Sequence, residues 1–82
     1  MLRDALLETV PLPPQSSAAG KLIRELQLRS RTGASIVGIE RAGENIINPG
    51  PDEELRAEDC VLLIGTRGQL DAAAPWLTSP PT

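Results

Sequence analysis

Few side chains in this 82-residue sequence could do covalent or metal chemistry. It has no histidine, and Cys60 is its one cysteine. A thiol needs a base or a cationic neighbourhood to become a thiolate. Cys60 instead opens the apolar run Cys60-Val61-Leu62-Leu63-Ile64 and reads as a buried, inert thiol. One chain with this inventory can build neither an intrachain disulfide nor a His- or Cys-based metal site. The acidic residues Asp52, Glu53, Glu54, Glu58 and Asp59 read as a solvated connector, with a weak divalent-cation site made of oxygen ligands as the alternative. Acid–base work by paired carboxylates would need a concave pocket, and a short chain whose only aromatic is Trp76 has little room for one. The residue types therefore point away from an enzyme and imply no metal.

Anion chemistry is the remaining option. Gly65-Thr66-Arg67-Gly68 sits where a phosphate loop would, after an apolar run and before a helical one. It lacks the third glycine of a dinucleotide fingerprint and the Gly-Lys-Ser/Thr of a P-loop, so it reads as an ordinary turn with anion binding at the following helix as the lesser option. The one dense basic stretch is Arg24, Arg29 and Arg31. It has no aromatic beside it to stack on a base, and the net charge is −3, so no nucleic-acid partner is expected.

The elements that must position these groups follow from periodicity and turn residues. Leu6–Leu12 reads as an edge strand stopped by Pro11, Pro13 and Pro14, although Leu2–Leu7 would also suit a helix. Residues 20–28 read as a helix with Leu22, Ile23 and Leu26 on one face. Gly33 is a candidate for positive φ. Ser35–Arg41 is a β-branched strand, Ala42-Gly43-Glu44-Asn45 a hairpin turn, and Asn45–Asn48 a short returning strand. Leu55 is the buried anchor of the charged connector 53–59. Cys60–Gly65 is a strand apolar at every position, which calls for cover on both faces. Gln69–Leu77 is a second helix, which Pro75 should kink or end.

The order β-α-β-β-β-α implies an α+β fold: a four-stranded, mainly antiparallel sheet with two helices on one face. Nothing else in the chain can cover the opposite face, which holds alternate residues of Cys60–Ile64 and of Ile36–Ile39. A second copy is the simplest cover, so a homodimer is expected. The domain is placed at residues 10–77, after a lead-in or truncated linker over 1–9 and before a disordered tail over 78–82. No apolar run approaches the roughly 20 residues of a membrane span. Met1-Leu2-Arg3-Asp4 lacks a signal-peptide layout, so the chain reads as cytoplasmic without direct membrane insertion.

An ordered series of segments resembles the TrkA-C domain, the C-terminal lobe of subunits that regulate potassium conductance. The series comprises Gly20-Lys21-Leu22-Ile23-Arg24-Glu25-Leu26, Gly33–Arg41, Ile46-Ile47-Asn48-Pro49, Leu55–Asp59, Val61–Gly65 and Gln69-Leu70. The resemblance implies a ligand-sensing regulatory domain at the cytoplasmic face of the membrane. It would serve a potassium transport or cation/proton antiport system, with a membrane-embedded transporter or channel subunit as partner. Some such domains bind cyclic di-AMP at a dimer interface, and the matching positions here are Ile36, Val37, Arg41, Asn48 and Pro49. In that role Arg41 would hold a phosphate by bidentate hydrogen bonds; otherwise it is a solvated hairpin arginine beside Glu40 or Glu44. Asn48 would offer its amide to a base edge. A ligand-free dimerisation module is the alternative. The sequence departs from the family pattern at Ala57-Glu58-Asp59, where Pro-Gly-Asp is usual, and at Pro75, within a helix that is normally unbroken.

Overall fold

The structure is a computed structural model that describes residues 5–80. The expected architecture is present: strands β1 (Leu6–Pro11), β2 (Ser35–Arg41), β3 (Glu44–Ile47) and β4 (Cys60–Gly65) form one antiparallel sheet in the order β1-β4-β2-β3. The most apolar strand, β4, is central, and β1 is an edge, as its proline predicts. Residues 6–9, read as lead-in, are the first part of that paired edge strand. The readings placed on Met1–Asp4, and on Pro81 and Thr82 in the tail, lie outside the described residues. Thr78, read as tail, is the last residue of a helix, and the Ser79 carbonyl accepts from the Ser17 N–H at 2.9 Å.

Helices cover one face of the sheet. The helix expected over 20–28 is two short helices, α1 (Ile23–Leu26) and α2 (Leu28–Thr32), separated by Gln27 at φ 50°. Gly33 ends α2 at φ 85°, and a Cβ there would lie 2.5 Å from the Gln69 side chain. Helix α3 runs from Arg67 to Thr78. The supposed turn residues Arg67 and Gly68 are its first turn, because Thr66 and Gln69 form a reciprocal capping box. Pro75 neither ends nor interrupts α3. Leu77 is fully buried beyond it, and the Leu77 carbonyl accepts from the Ser16 hydroxyl. Burial and that tie hold the last turn in place despite the missing donor.

The core lies between the helices and the sheet and includes Val10, Leu12, Leu28, Ile39, Val61 and Leu63. Strict alternation would send Ile36 and Ile39 to opposite faces. A bulge at Val37 inserts one residue between Ile36, opposite Leu63, and Gly38, opposite Leu62. Both isoleucines therefore face the helices. The hairpin turn is shorter than expected: Ala42 (φ 51°) and Gly43 (φ 82°) alone connect β2 to β3, the two-residue turn whose twist matches the strands.

The connector before β4 solves its missing glycine by strain. Glu58 takes φ 70°, while its N–H donates to the Leu12 carbonyl at 2.9 Å. A side chain in the left-handed region costs about 1 kcal/mol or somewhat more. Glu58→Gly is therefore expected to stabilise the domain by about 1 kcal/mol and raise its melting temperature by about 4–8 °C. An unchanged melting temperature would show that Glu58 carries no such cost.

Candidate functional site

Four of the five site residues read from the sequence come together. Ile36 and Val37 begin β2, and Asn48 and Pro49 follow β3, which pairs with it. The Asn48 N–H donates to the Val37 carbonyl at 3.0 Å, across the bulge. Asn48 adopts φ 49°, a conformation that asparagine tolerates better than most residues. Its side chain is exposed, and Val37 and Pro49 are half-buried. Ile36 packs against the core and also lines, with Pro51, a cavity of about 400 Å³.

Arg41 stands apart from this group, four residues further along β2, or about 13 Å for an extended chain. It is neither a solvated hairpin arginine nor paired with Glu40 or Glu44. Its Nε donates to Asp59 Oδ1 at 2.9 Å, and its Nη2 donates to Asp59 Oδ2 at 2.8 Å, a bidentate pair. Nη2 also reaches the Glu54 carbonyl at 2.8 Å, and Nη1 reaches Glu53 Oε2 at 3.5 Å. Asp59 is only 1% exposed, so one member of the acidic run is core and not solvated connector. It takes a third hydrogen bond from the Arg56 N–H at 2.9 Å.

The electrostatics follow from that geometry. Burial alone would raise the Asp59 carboxyl. The Arg41 hydrogen bonds, the Arg56 N–H and the two positive charges outweigh it, so the carboxyl sits below its ordinary value near 3.8. The same hydrogen bonds, donated to Asp59, hold the Arg41 guanidinium above its ordinary value. Arg41 thus has one loosely held donor, Nη1, left for any other anion.

The sheet face opposite the helices is open, apolar along β4, and also carries Thr9, Glu40 and Asn45. Leu62, Ile64 and Cys60 of β4 lie on it, flanked by Leu7 of β1, which is 64% exposed, and Ile47 of β3, which is 71% exposed. Gly38 leaves a groove of about 300 Å³ there, between Leu62, Thr9 and Ile47. Sequence reasoning identified this face but missed the cations nearest to Ile36. Arg24 and Arg29 line the 400 Å³ cavity with it. Their signal was the basic stretch itself, whose placement depended on the break at Gln27. Arg31, the third member, lies over the Trp76 ring at 4.7 Å from its centroid. No helix among the described residues is long and apolar enough to cross a membrane.

Comparison with known proteins agrees with this architecture. The sequence profile of the TrkA-C domain matches residues 7–78. Probable potassium channel protein 2 of Methanocaldococcus jannaschii is 34% identical over 67 residues, which are 82% of this chain and 20% of that protein. The chain spans one fifth or less of the length of the curated relatives it matches first. Among solved structures, the RCK_C domain dimer of S. agalactiae BusR in complex with c-di-AMP superposes with a TM-score of 0.79 at 28% identity, covering 87% of this chain and 93% of that one. The RCK C domain of the potassium transport protein KtrA in complex with cyclic diadenosine monophosphate gives a TM-score of 0.70 at 32% identity, covering 80% of this chain and 78% of that one.

Proposed function

This chain belongs to the TrkA-C domain family, and from that premise we propose that it senses a small effector and regulates a potassium transport or cation/proton antiport system. The domain works at the cytoplasmic face of the membrane as a homodimer, and its partner is a membrane-embedded transporter or channel subunit. The effector, for which cyclic di-AMP is the first candidate, binds across the two-fold axis against Ile36, Val37, Asn48 and Pro49, and the Nη1 of Arg41 contributes to phosphate binding. By binding one arrangement of the two copies better than another, it biases the attached transporter. The observation that carries this reading is the meeting of Val37 and Asn48 across the bulge, with Ile36 and Pro49 beside them, at the end of a sheet whose outer face no helix among the described residues covers. Related domains with c-di-AMP bound add support.

The test is a thermal shift. An effector at about a hundred times its dissociation constant adds about 2.7 kcal/mol of stability, so cyclic di-AMP is expected to raise the melting temperature by about 10 °C or more. Asn48→Gly keeps the left-handed backbone, removes only the side-chain amide, and is expected to abolish most of that rise. Arg41→Ala is the poorer variant, because it also strips Asp59 of its partner. No shift at a large excess rejects this effector and leaves the regulatory class standing.

One observation favours the ligand-free dimerisation module: the cation that the family resemblance assigns to a phosphate is largely occupied by Asp59. A stable dimer whose interface is filled, with no cavity near Arg41, would select that reading.

A further inference from the structure

The cavity beside Ile36 has the chemistry of a binding site in its own right. Its apolar lining is Ile23, Leu28, Ile36 and Pro51. Its rim carries Arg24, Gln27, Arg29 and Ser30. Among the described residues no aspartate or glutamate lines it, although the chain has eleven acidic residues and a net charge of −3. Arg24 touches Asp52 at 2.9 Å, but both side chains are mostly exposed, and such pairs bind weakly. Arg29 has no carboxylate partner among the described residues.

The cavity is also built at a cost. Gln27 holds φ 50° where glycine would be at ease. Such outliers persist only where surrounding structure enforces them, and they gather at ligand sites. With the chain broken at Gln27, Leu28 is buried in the core and Arg24 and Arg29 both line the cavity. Guanidinium groups grip planar or tetrahedral oxyanions through two parallel N–H bonds. A volume of about 400 Å³ is within the range of small-molecule sites.

We infer that this cavity binds an organic oxyanion: a phosphate ester or carboxylate held by Arg24 and Arg29, with its apolar body on Ile23, Leu28, Ile36 and Pro51. The Ser30 hydroxyl and the Gln27 amide supply further donors. Every part comes from one copy of the chain and Arg41 takes no part, so the site stands whether or not cyclic di-AMP is the effector.

Amide chemical shifts of the isotope-labelled chain test it, with phenyl phosphate, benzoate and neutral benzyl alcohol as probes. The expected result is saturable shifts at Gln27, Leu28, Ser30 and Ser35, with at least one anion binding about tenfold or more tighter than benzyl alcohol. The tighter anion names the natural class. Both arginines are exposed, so the Arg24→Gln, Arg29→Gln double variant should keep its fold and lose about tenfold in anion affinity. In the unmodified chain, added salt should weaken the anion and leave benzyl alcohol unchanged. The proposal is overturned if neither anion gives saturable shifts, if benzyl alcohol binds as tightly as both, or if anion affinity survives both the double substitution and high salt.

Discussion

Asp59→Ala is expected to lower the melting temperature by about 12–24 °C. Asp59 is almost fully buried and takes three hydrogen bonds, two from Arg41 and one from the Arg56 N–H. Removing one partner of a buried pair costs about 3–5 kcal/mol, because the other charge is left without its counterpart. The lower end applies here, since the Arg41 side chain is 18% exposed and keeps Glu53 and the Glu54 carbonyl. A loss of about 3 kcal/mol, at about 4–8 °C for each in a domain of this size, gives the stated fall. It is a large share of the roughly 4–12 kcal/mol that a chain of this length has. The effect carries a pH signature. The Asp59 carboxyl is held below its ordinary value, so the pair contributes its full stability above about 3.8 and loses it as pH falls below that value and through the lowered one. Asp59→Asn should flatten the acid limb of the stability curve relative to the unmodified chain. A loss under about 1 kcal/mol would show that the pair is merely a surface contact.

Leu62→Glu is expected to weaken self-association by about a hundredfold or more. Leu62 sits in the middle of the open face, next to the groove over Gly38, with Ile64 beside it in β4. In a two-fold interface one substitution acts twice, and each new carboxylate would be buried without a partner. Central interface positions commonly cost 2 kcal/mol or more when disrupted, which is about thirtyfold or beyond for each copy. The variant should remain folded, because Leu62 faces away from the core that Val61 and Leu63 share with the helices. Sedimentation at micromolar concentration checks the pair. The dimer reading fails if the unmodified chain sediments as a stable, folded monomer with this face exposed, or if Leu62→Glu associates as tightly as its parent.

The sheet was legible because its strands announce themselves locally. Ile36, Val37 and Ile39 are β-branched, Cys60–Ile64 is apolar throughout, and prolines bound the edge strand. Leu55 was legible as the one large apolar residue in a charged segment, and it is fully buried. The bulge at Val37 was not read, although Gly38 inside the strand is a local marker for one. Gln27 was missed because it adopts left-handed backbone without being glycine or asparagine, so its turn carries no turn residue, whereas Glu58 stands where the family pattern has a glycine. The candidate site was half legible. Backbone continuity from β2 and β3 joins Val37 to Asn48. Arg41 and Asp59, eighteen positions apart, meet only once the connector folds back across the strand end.

Cys60 has no histidine in the chain to activate it as a nucleophile, and its position gives it a different use. It is half-buried on the open face, opposite Pro11 on one neighbouring strand and Glu40 on the other. As the chain's sole thiol it is a native reporter, reacting with an alkylating reagent only as often as that face is uncovered. Its labelling rate, followed across dilution, would chart the traffic between paired and solitary molecules without any foreign tag.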